Sequence, residues 1–371
     1  MFQIELLPAA HGDALWIECG GDPARPTRIV IDGGPASTYE KGLRERLQKL
    51  DPDDRRIDLF VVSHIDADHI DGAILFLREA EQLGISLGEV WFNGWPQLDK
   101  VTDEGLQPIQ GEFLGALLAT SALTDRIWNT RTEGKAIVVP DEGKLPSWEI
   151  GDATLTLLSP GMKQLRRLRA RWSAAMREFC GDTKEALERL EKRREYRPPV
   201  MPPVFGERCY GDDRTAPNGS SIAFLLEHDG ASCLLGADAH ARVLAASLAR
   251  LIQDRSGGRE GRVRLDAVKV PHHGSLGNVS EEMLSRIDCP RWLISTNGAI
   301  SGHPDLKTAQ LVADTSASRP TFLCNYRSAT TQAFVDAKWD TRYPDDRGSR
   351  LGPGGGLLVE LKAAKKRRRK A

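Results

Sequence analysis

Closely spaced cysteines are missing from this sequence. Its six cysteines, Cys19, Cys180, Cys209, Cys233, Cys289 and Cys324, contain no CxxC pair, which excludes a thiolate zinc knuckle and a dithiol redox motif. No apolar run reaches the roughly 18 residues of a membrane span. The opening MFQIELLPAAHGDALWIE has no basic stretch leading into an apolar core, so neither a membrane anchor nor an export signal is expected. An excess of charge is lacking too: 51 Lys and Arg stand against 52 Asp and Glu, a formal net charge of −1. The chain as a whole therefore does not advertise a polyanionic partner. What is present, 40% hydrophobic and 28% charged residues over 371 positions, suits a globular protein with a large core, expected in a reducing cytoplasm.

Short apolar runs ending in Gly, Asp or Pro recur along the chain: FQIELL, ALWIEC, RIVID, IDLFVVS, GEVWFN, TLTLLS, SIAFLLE, ASCLLGA, DAVKVP, RWLIS and TFLCN. Their length and composition predict strands. Between them YEKGLRERLQKL, AILFLREAEQLG, ARVLAASLARLIQ and VSEEMLSRI carry helical spacing, so strands and helices alternate as a layered α/β (α+β) domain requires. From about Gly161 the rhythm changes. MKQLRRLRARWSAAMREFCGDTKEALERLEKRREYR has apolar residues at helical intervals among many arginines until PPVMPP stops it, which predicts a helical insertion over about 161–200. One domain over 1–362 and a basic tail over 363–371 complete the expected organisation.

The densest chemistry lies in SHIDADHIDGA, residues 63–73, directly after the apolar run IDLFVV. A short turn after a strand can aim His64, Asp66, Asp68 and His69 into one small volume. Imidazole nitrogens and carboxylate oxygens suit zinc, manganese or iron, and their alternation along the turn can serve two neighbouring divalent ions, Zn or Mn. A solvated acidic loop with incidental histidines is the bland alternative, and so many ligands at a strand end argue against it.

HIDADHIDG resembles the HxHxDH signature of the metallo-β-lactamase-fold hydrolases, in an HxDxDH form. RIVIDGG is similar to the strand whose Asp precedes that signature, CLLGADA to the strand ending in a metal-bridging Asp, and VKVPHHGS to the strand ending in a late metal-binding His. Within that superfamily the likeness is to the soluble nuclease domain of competence (ComEC-type) DNA-uptake proteins and their free-standing relatives. HGDALWIE, NGSSIAFLLE, LLGADAH, VPHHGS and SGHP occur here in that family's order, and the resemblance runs from about Phe2 to Pro304.

The resemblance implies a four-layer αββα sandwich. It also implies that His64 and Asp66 serve a first metal, Asp68 and His69 a second, that Asp238 bridges, and that His272 completes the set. Asp66 stands where the commoner signature has a second His, which tilts metal choice from zinc toward manganese. The sequence offers no clear separate His ligand between the signature and Asp238, leaving one coordination position to Asn218, Asp13 or water. The implied chemistry is hydrolysis by water activated between two ions, with Asp68 or Asp238 holding the attacking water. His273 or His303 would donate a hydrogen bond or a proton.

Plainer readings stay open beside these. His303 also reads as a loop histidine beside Pro304, Asp13 as a strand cap and Asn218 as a turn residue. Asp32 is expected to orient the metal loop through backbone hydrogen bonds, and His11, His228 and His240 to be peripheral.

Substrate class has to come from charge, because fold does not supply it. Lys163, Arg166, Arg167, Arg169 and Arg171 cluster at the start of the insertion, and KKRRRK over 365–370, with Lys365 and Arg368, forms the tail. Both can contact phosphates, which favours a nuclease acting on nucleic acid. A salt-bridged helix and a disordered tail are the alternatives. Two other functions remain: a small-molecule phosphodiester or ester hydrolase with the insertion as a lid, and a non-catalytic interaction subunit. No membrane partner is expected; a protein partner or homo-oligomer is open.

Overall fold

The computed structural model describes residues 1–99, 109–120, 126–175, 211–257 and 261–362. Two large mixed sheets dominate it. The first is built from β1 (Phe2–Leu6), β2 (Leu15–Cys19), β3 (Thr27–Ile31), β4 (Leu59–Val61), β5 (Val90–Trp91) and, from the far end of the chain, β14 (Arg350–Leu351) and β15 (Leu357–Glu360), in the order β14-β15-β1-β2-β3-β4-β5. The second contains β6 (Ser147–Ile150), β7 (Ala153–Ser159), β8 (Ala223–His228), β9 (Ala231–Leu235), β10 (Ala267–Lys269), β11 (Arg291–Ile294), β12 (Thr321–Cys324) and β13 (Asp340–Arg342). It runs in reverse chain order from β13 to β6.

Side-chain alternation explains the layering. Ile29, Ile31, Leu59, Val61 and Trp91 share a core with Leu155, Leu157, Phe224 and Leu234 of the second sheet. Their neighbours in sequence, Val30, Phe60 and Val90, join a separate cluster with helical residues. A period of two thus gives each strand one face for the facing sheet and one for helices. The helices of the first cluster include α1 (Ala67–Glu79), α2 (Trp95–Asp99), α3 (Ile109–Thr120) and α4 (Met162–Ala175); Phe60 meets Phe76 of α1 edge-on at 5.0 Å. The second sheet is covered by residues of α6 (Ala241–Ser256), α7 (Leu306–Thr315) and α8 (Ala329–Asp336), such as Leu244, Leu248, Val312 and Phe334. A one-turn helix, α5 (Ala216–Gly219), precedes β8. The architecture is the four-layer αββα sandwich.

Of the expected insertion, α4 lies among the described residues and its remainder does not, nor does the basic tail with Lys365 and Arg368. The strands β13 to β15 and the helices α7 and α8 were not among the elements expected from sequence. Among the described residues no helix is long and apolar enough to cross a membrane.

Parallel pairing positions the chemistry. β3, β4 and β5 run parallel, as do β9 to β13. Their carboxyl ends therefore project loops that bear Asp32, the 63–69 stretch, Asp238, His272 with His273, and Ser295, and in open α/β sheets ligands gather at such ends. The loops pack backbone to backbone. A Cβ added at Gly33 would sit 2.1 Å from the Ala73 nitrogen, one at Gly72 2.0 Å from the Gly33 oxygen, and one at Gly12 1.8 Å from the Asp68 oxygen. Glycine is required there by space rather than by φ. Gly33→Ala should lower unfolding free energy in urea by about 2 kcal/mol or more, whereas Gly21→Ala, whose Cβ would meet nothing within 4 Å, should change it by less than about 0.5 kcal/mol. Equal effects would show that the close approach is not required.

Candidate metal centre

Asp32 ends β3 in the left-handed region, φ 60°, and is fully buried. Its Oδ1 accepts the Ser63 backbone N–H at 2.7 Å; its Oδ2 accepts the Ser63 hydroxyl at 2.7 Å and the His69 Nδ1 at 2.8 Å. With its proton given to Asp32, the Ser63 hydroxyl is left to accept from His64 Nδ1 at 3.0 Å. One carboxylate thus sets the tautomer of two imidazoles, and both present Nε2 to the same space.

Two further histidines arrive from the loop after β10, where His272 and His273 occupy φ 45° and 54°. Left-handed backbone is costly for such residues and is retained where surrounding structure fixes it. His272 Nδ1 lies 2.7 Å from Asn278 Oδ1, while the Asn278 amide donates to Asp213 Oδ2 at 2.8 Å and to the Asp238 carbonyl at 3.0 Å. His273 Nδ1 donates to the Ser295 carbonyl at 2.8 Å.

All four Nε2 atoms converge on Asp238. His69, His272 and His64 lie 3.4, 3.7 and 3.8 Å from its Oδ2, and His273 lies 3.8 Å from its Oδ1. Asp66 Oδ2 is 3.5 Å from His64 Nε2; Asp68 Oδ2 is 3.6 Å from His273 Nε2 and 3.9 Å from His69 Nε2. Asp13, His69, Asp238 and His273 all place a ligand atom within 4.8 Å of one another and are buried. The Nε2 atoms of His64, His69 and His273 and Oδ1 of Asp238 are buried with no hydrogen-bond partner. Such orphaned donors and acceptors are costly, and their mixture of imidazole nitrogen and carboxylate oxygen is what zinc, manganese or iron takes. The residues present fit a divalent metal.

The electrostatics agree. Burial opposes charge on Asp238, yet the imidazoles of His69, His272 and His273 hold its carboxyl well below the usual range. Burial likewise opposes charge on His69, and Asp238, Asp68 and Asp32 overcome it, raising this imidazole well above its usual value. His273 is raised to about 9, burial being outweighed by Asp238 and Asp13. The cluster therefore draws positive charge to itself, as protons when no ion is there.

Sequence reasoning had placed only His272 among the ligands and given His273 a proton-donor role. His273 also brings its Nε2 to the cluster, 3.8 Å from Asp238 Oδ1, while its Nδ1 donates to the Ser295 carbonyl. His303 sits outside the cluster, its ring 5.2 Å from that of His272 and Nδ1 3.4 Å from Asp305; burial holds its pKa below the usual value. Asn218 lies in the layer behind, donating to Asp213 at 2.7 Å.

Three residues went unread in the sequence. Lys269 is fully buried with Nζ 2.7 Å from Asp13 Oδ2; the inward period of VKV was its only signal. Burial opposes charge on Asp13, and Lys269 and then His273 hold its carboxyl well below the usual range. Asp213 and Asn278 brace His272, and neither stood out from an ordinary turn. Of the arginines expected to meet phosphate, Arg166 and Arg167 are exposed. Arg169 is only 8% exposed with its guanidinium 5.4 Å from the Trp95 ring, because the inner face of α4 turns it into the protein. The described cysteines, Cys19, Cys233, Cys289 and Cys324, are buried, with burial pushing the Cys19 and Cys289 thiols up to about 12, so none offers a thiolate.

No family model and no curated protein matches the chain. Solved structures do resemble it. The metallo-beta-lactamase fold protein YhfI from Bacillus subtilis is 10% identical over 88% of this chain and 98% of its own, with a TM-score of 0.42. Zn(2+)-bound PqqB from Methylobacterium extorquens is 13% identical over 97% and 100%, TM-score 0.40. CmlA, a diiron beta-hydroxylase from Streptomyces venezuelae, is 13% identical over 97% of this chain and 54% of its own, TM-score 0.39. At these scores the likenesses decide nothing about chemistry, which rests on this chain's residues.

A pH test follows from the raised imidazoles. A histidine whose folded pKa exceeds its unfolded value stabilises fully below the unfolded value, about 6.5, and loses that contribution as pH rises through the folded value. Chelator-treated protein should thus lose thermal stability between roughly pH 6.5 and 9, the window set by His273. Protein supplied with zinc or manganese should not, because neutral imidazoles bind ions better. Parallel melting curves over that range would show these histidines to be uninvolved.

Proposed function

We propose that the protein is a metal-dependent phosphodiesterase, and specifically a nuclease, working at a dinuclear site. The observation that supports this reading is the set of imidazole Nε2 atoms and carboxylates around Asp238, each His Nδ1 bonded behind it. His64, Asp66 and His272 would hold one divalent ion, Asp68, His69 and His273 the other, and Asp238 would bridge them. Bound there, two ions would supply Lewis acidity and a water acidified toward neutrality.

The chain's own groups have the remaining work. Asp32, Ser63, Asn278 and the Ser295 carbonyl hold the four rings in place, so little reorganisation accompanies reaction. Asp68, half-buried with its side chain one-quarter exposed, is held ionised by His69 and His273 against the effect of desolvation, which leaves it able to accept a hydrogen bond from the attacking water. His303, at the rim beside His272, stands where a neutral imidazole can donate a hydrogen bond to a departing oxygen. The Asp13 carboxylate, its charge offset by Lys269, lies behind His273, Oδ1 3.5 Å from Nδ1. Phosphate is favoured over a neutral ester because exposed cations lie beside this centre.

Protein supplied with manganese or zinc should hydrolyse bis-p-nitrophenyl phosphate, and Asp68→Asn should lower kcat by at least about 100-fold while leaving the far-UV circular dichroism unchanged. Faster turnover of a p-nitrophenyl carboxylic ester than of the diester would transfer the proposal to an ester hydrolase. Full retention of diester turnover in Asp68→Asn would remove the mechanism.

A further inference from the structure

A cleft of about 880 Å3 lies beside the metal centre, between α4, the 211–214 segment and the start of α6. Asp213 joins the two. Its Oδ2 is 3.7 Å from His272 Nδ1, and its Oδ1 is 3.9 Å from Nε2 of His240, which lines the cleft. The cleft is thus one residue removed from a ring that faces Asp238.

Its charges do not cancel once their partners are assigned. Among the acids on the wall, Asp212 is paired with Arg242, Asp213 accepts the amides of Asn218 and Asn278, and Glu282 is 3.0 Å from Arg286. Among the bases, Arg250 is spent on the carbonyls of Pro140 and Gly143. Lys163, Arg167 and Arg214 remain, all exposed on the cleft wall with no ion pair to any described residue, against the carboxylates of Asp141 and Asp213. Two further features point the same way. The N-cap residue of the sixteen-residue α6, His240, makes no side-chain capping hydrogen bond at this wall, and a helix N-terminus favours an anion. His240, 8% exposed, has a buried Nε2 without a hydrogen-bond partner.

We infer that this cleft is a phosphate-binding subsite for the part of a nucleic-acid strand next to the scissile linkage, with Lys163, Arg167 and Arg214 as its cations. The inference rests on the phosphodiesterase reading and sharpens it, because a small diester filling the metal centre would leave these cations without a ligand. A strand would run from the centre past Asp213 along α4, its successive phosphates meeting the three side chains. Exposed, flexible cations suit a backbone read by charge and not by sequence.

The test is binding of a fluorescein-labelled oligothymidylate to the full-length, metal-free protein, followed by anisotropy over a range of salt. Each lost phosphate contact on a single strand should flatten the log–log salt slope by about 0.7, so the triple variant Lys163→Gln, Arg167→Gln, Arg214→Gln should lose about 2 from it and bind at least about tenfold more weakly at low salt. The control variant Lys41→Gln, Arg78→Gln, Arg264→Gln removes the same charge from exposed positions elsewhere and should keep the original slope. Identical slopes for the two variants, or no salt-dependent binding by the unsubstituted protein, would overturn the subsite. Displacement of the oligonucleotide by inorganic phosphate at equal concentration would replace it with a pocket for a small phosphate. Failure of the phosphodiesterase reading is seen separately, as absent turnover of bis-p-nitrophenyl phosphate by the unsubstituted protein.

Discussion

Asp32 is the constraint on which the site depends. A fully buried carboxylate that accepts three hydrogen bonds, two from Ser63 and one from His69, ties the end of β3 to the loop after β4. Because the Ser63 hydroxyl passes the constraint on to His64, a single side chain fixes the direction of half of the imidazoles around Asp238. The left-handed backbone at Asp32, and the glycines at Gly33 and Gly72 that let the two loops touch, exist to bring that carboxylate within reach. The helix–strand packing above the first sheet then holds the loops still.

The second half of the site obeys the same logic with different chemistry. His272 and His273 leave β10 in left-handed conformation beside Ala237, itself at φ 43°, and adjacent residues consequently point their rings at one carboxylate from two directions. Behind them, Asn278 spans His272, Asp213 and the Asp238 carbonyl. A buried Lys269–Asp13 pair backs His273, and removing either partner would strand a charge in the interior. Both sheets thus contribute to one centre, and neither could form it alone.

Much of this was legible in the sequence, for identifiable reasons. The alternation in RIVID and IDLFVVS exposes period-two strands, and HIDADH concentrates ligands too densely for a surface loop; residues whose chemistry is local announce themselves. His64, Asp66, Asp68, His69, Asp238 and His272 lie close together in the fold. What escaped depends on tertiary geometry. That His273 as well as His272 faces Asp238 is decided by backbone φ and by the groups that wait for each Nδ1, and neither is written in PHHGS. Lys269 hides in an apolar strand, Arg169 turns inward on a helix whose arginines look alike in sequence, and Asp213 acquires importance only once the 211–214 segment folds against Asn278. The strands β14 and β15 were missed because they complete the first sheet from more than 340 residues away, β15 pairing with β1 and β14 with β15.

Metal stoichiometry tests the central claim most directly. Full-length protein equilibrated with excess manganese or zinc at neutral pH, freed of unbound ions and subjected to elemental analysis, should retain close to two divalent ions per chain, and Asp238→Ala, which removes the shared carboxylate, should retain fewer than one. Retention of no ion by the unsubstituted protein, or an unchanged content in Asp238→Ala, would contradict the account.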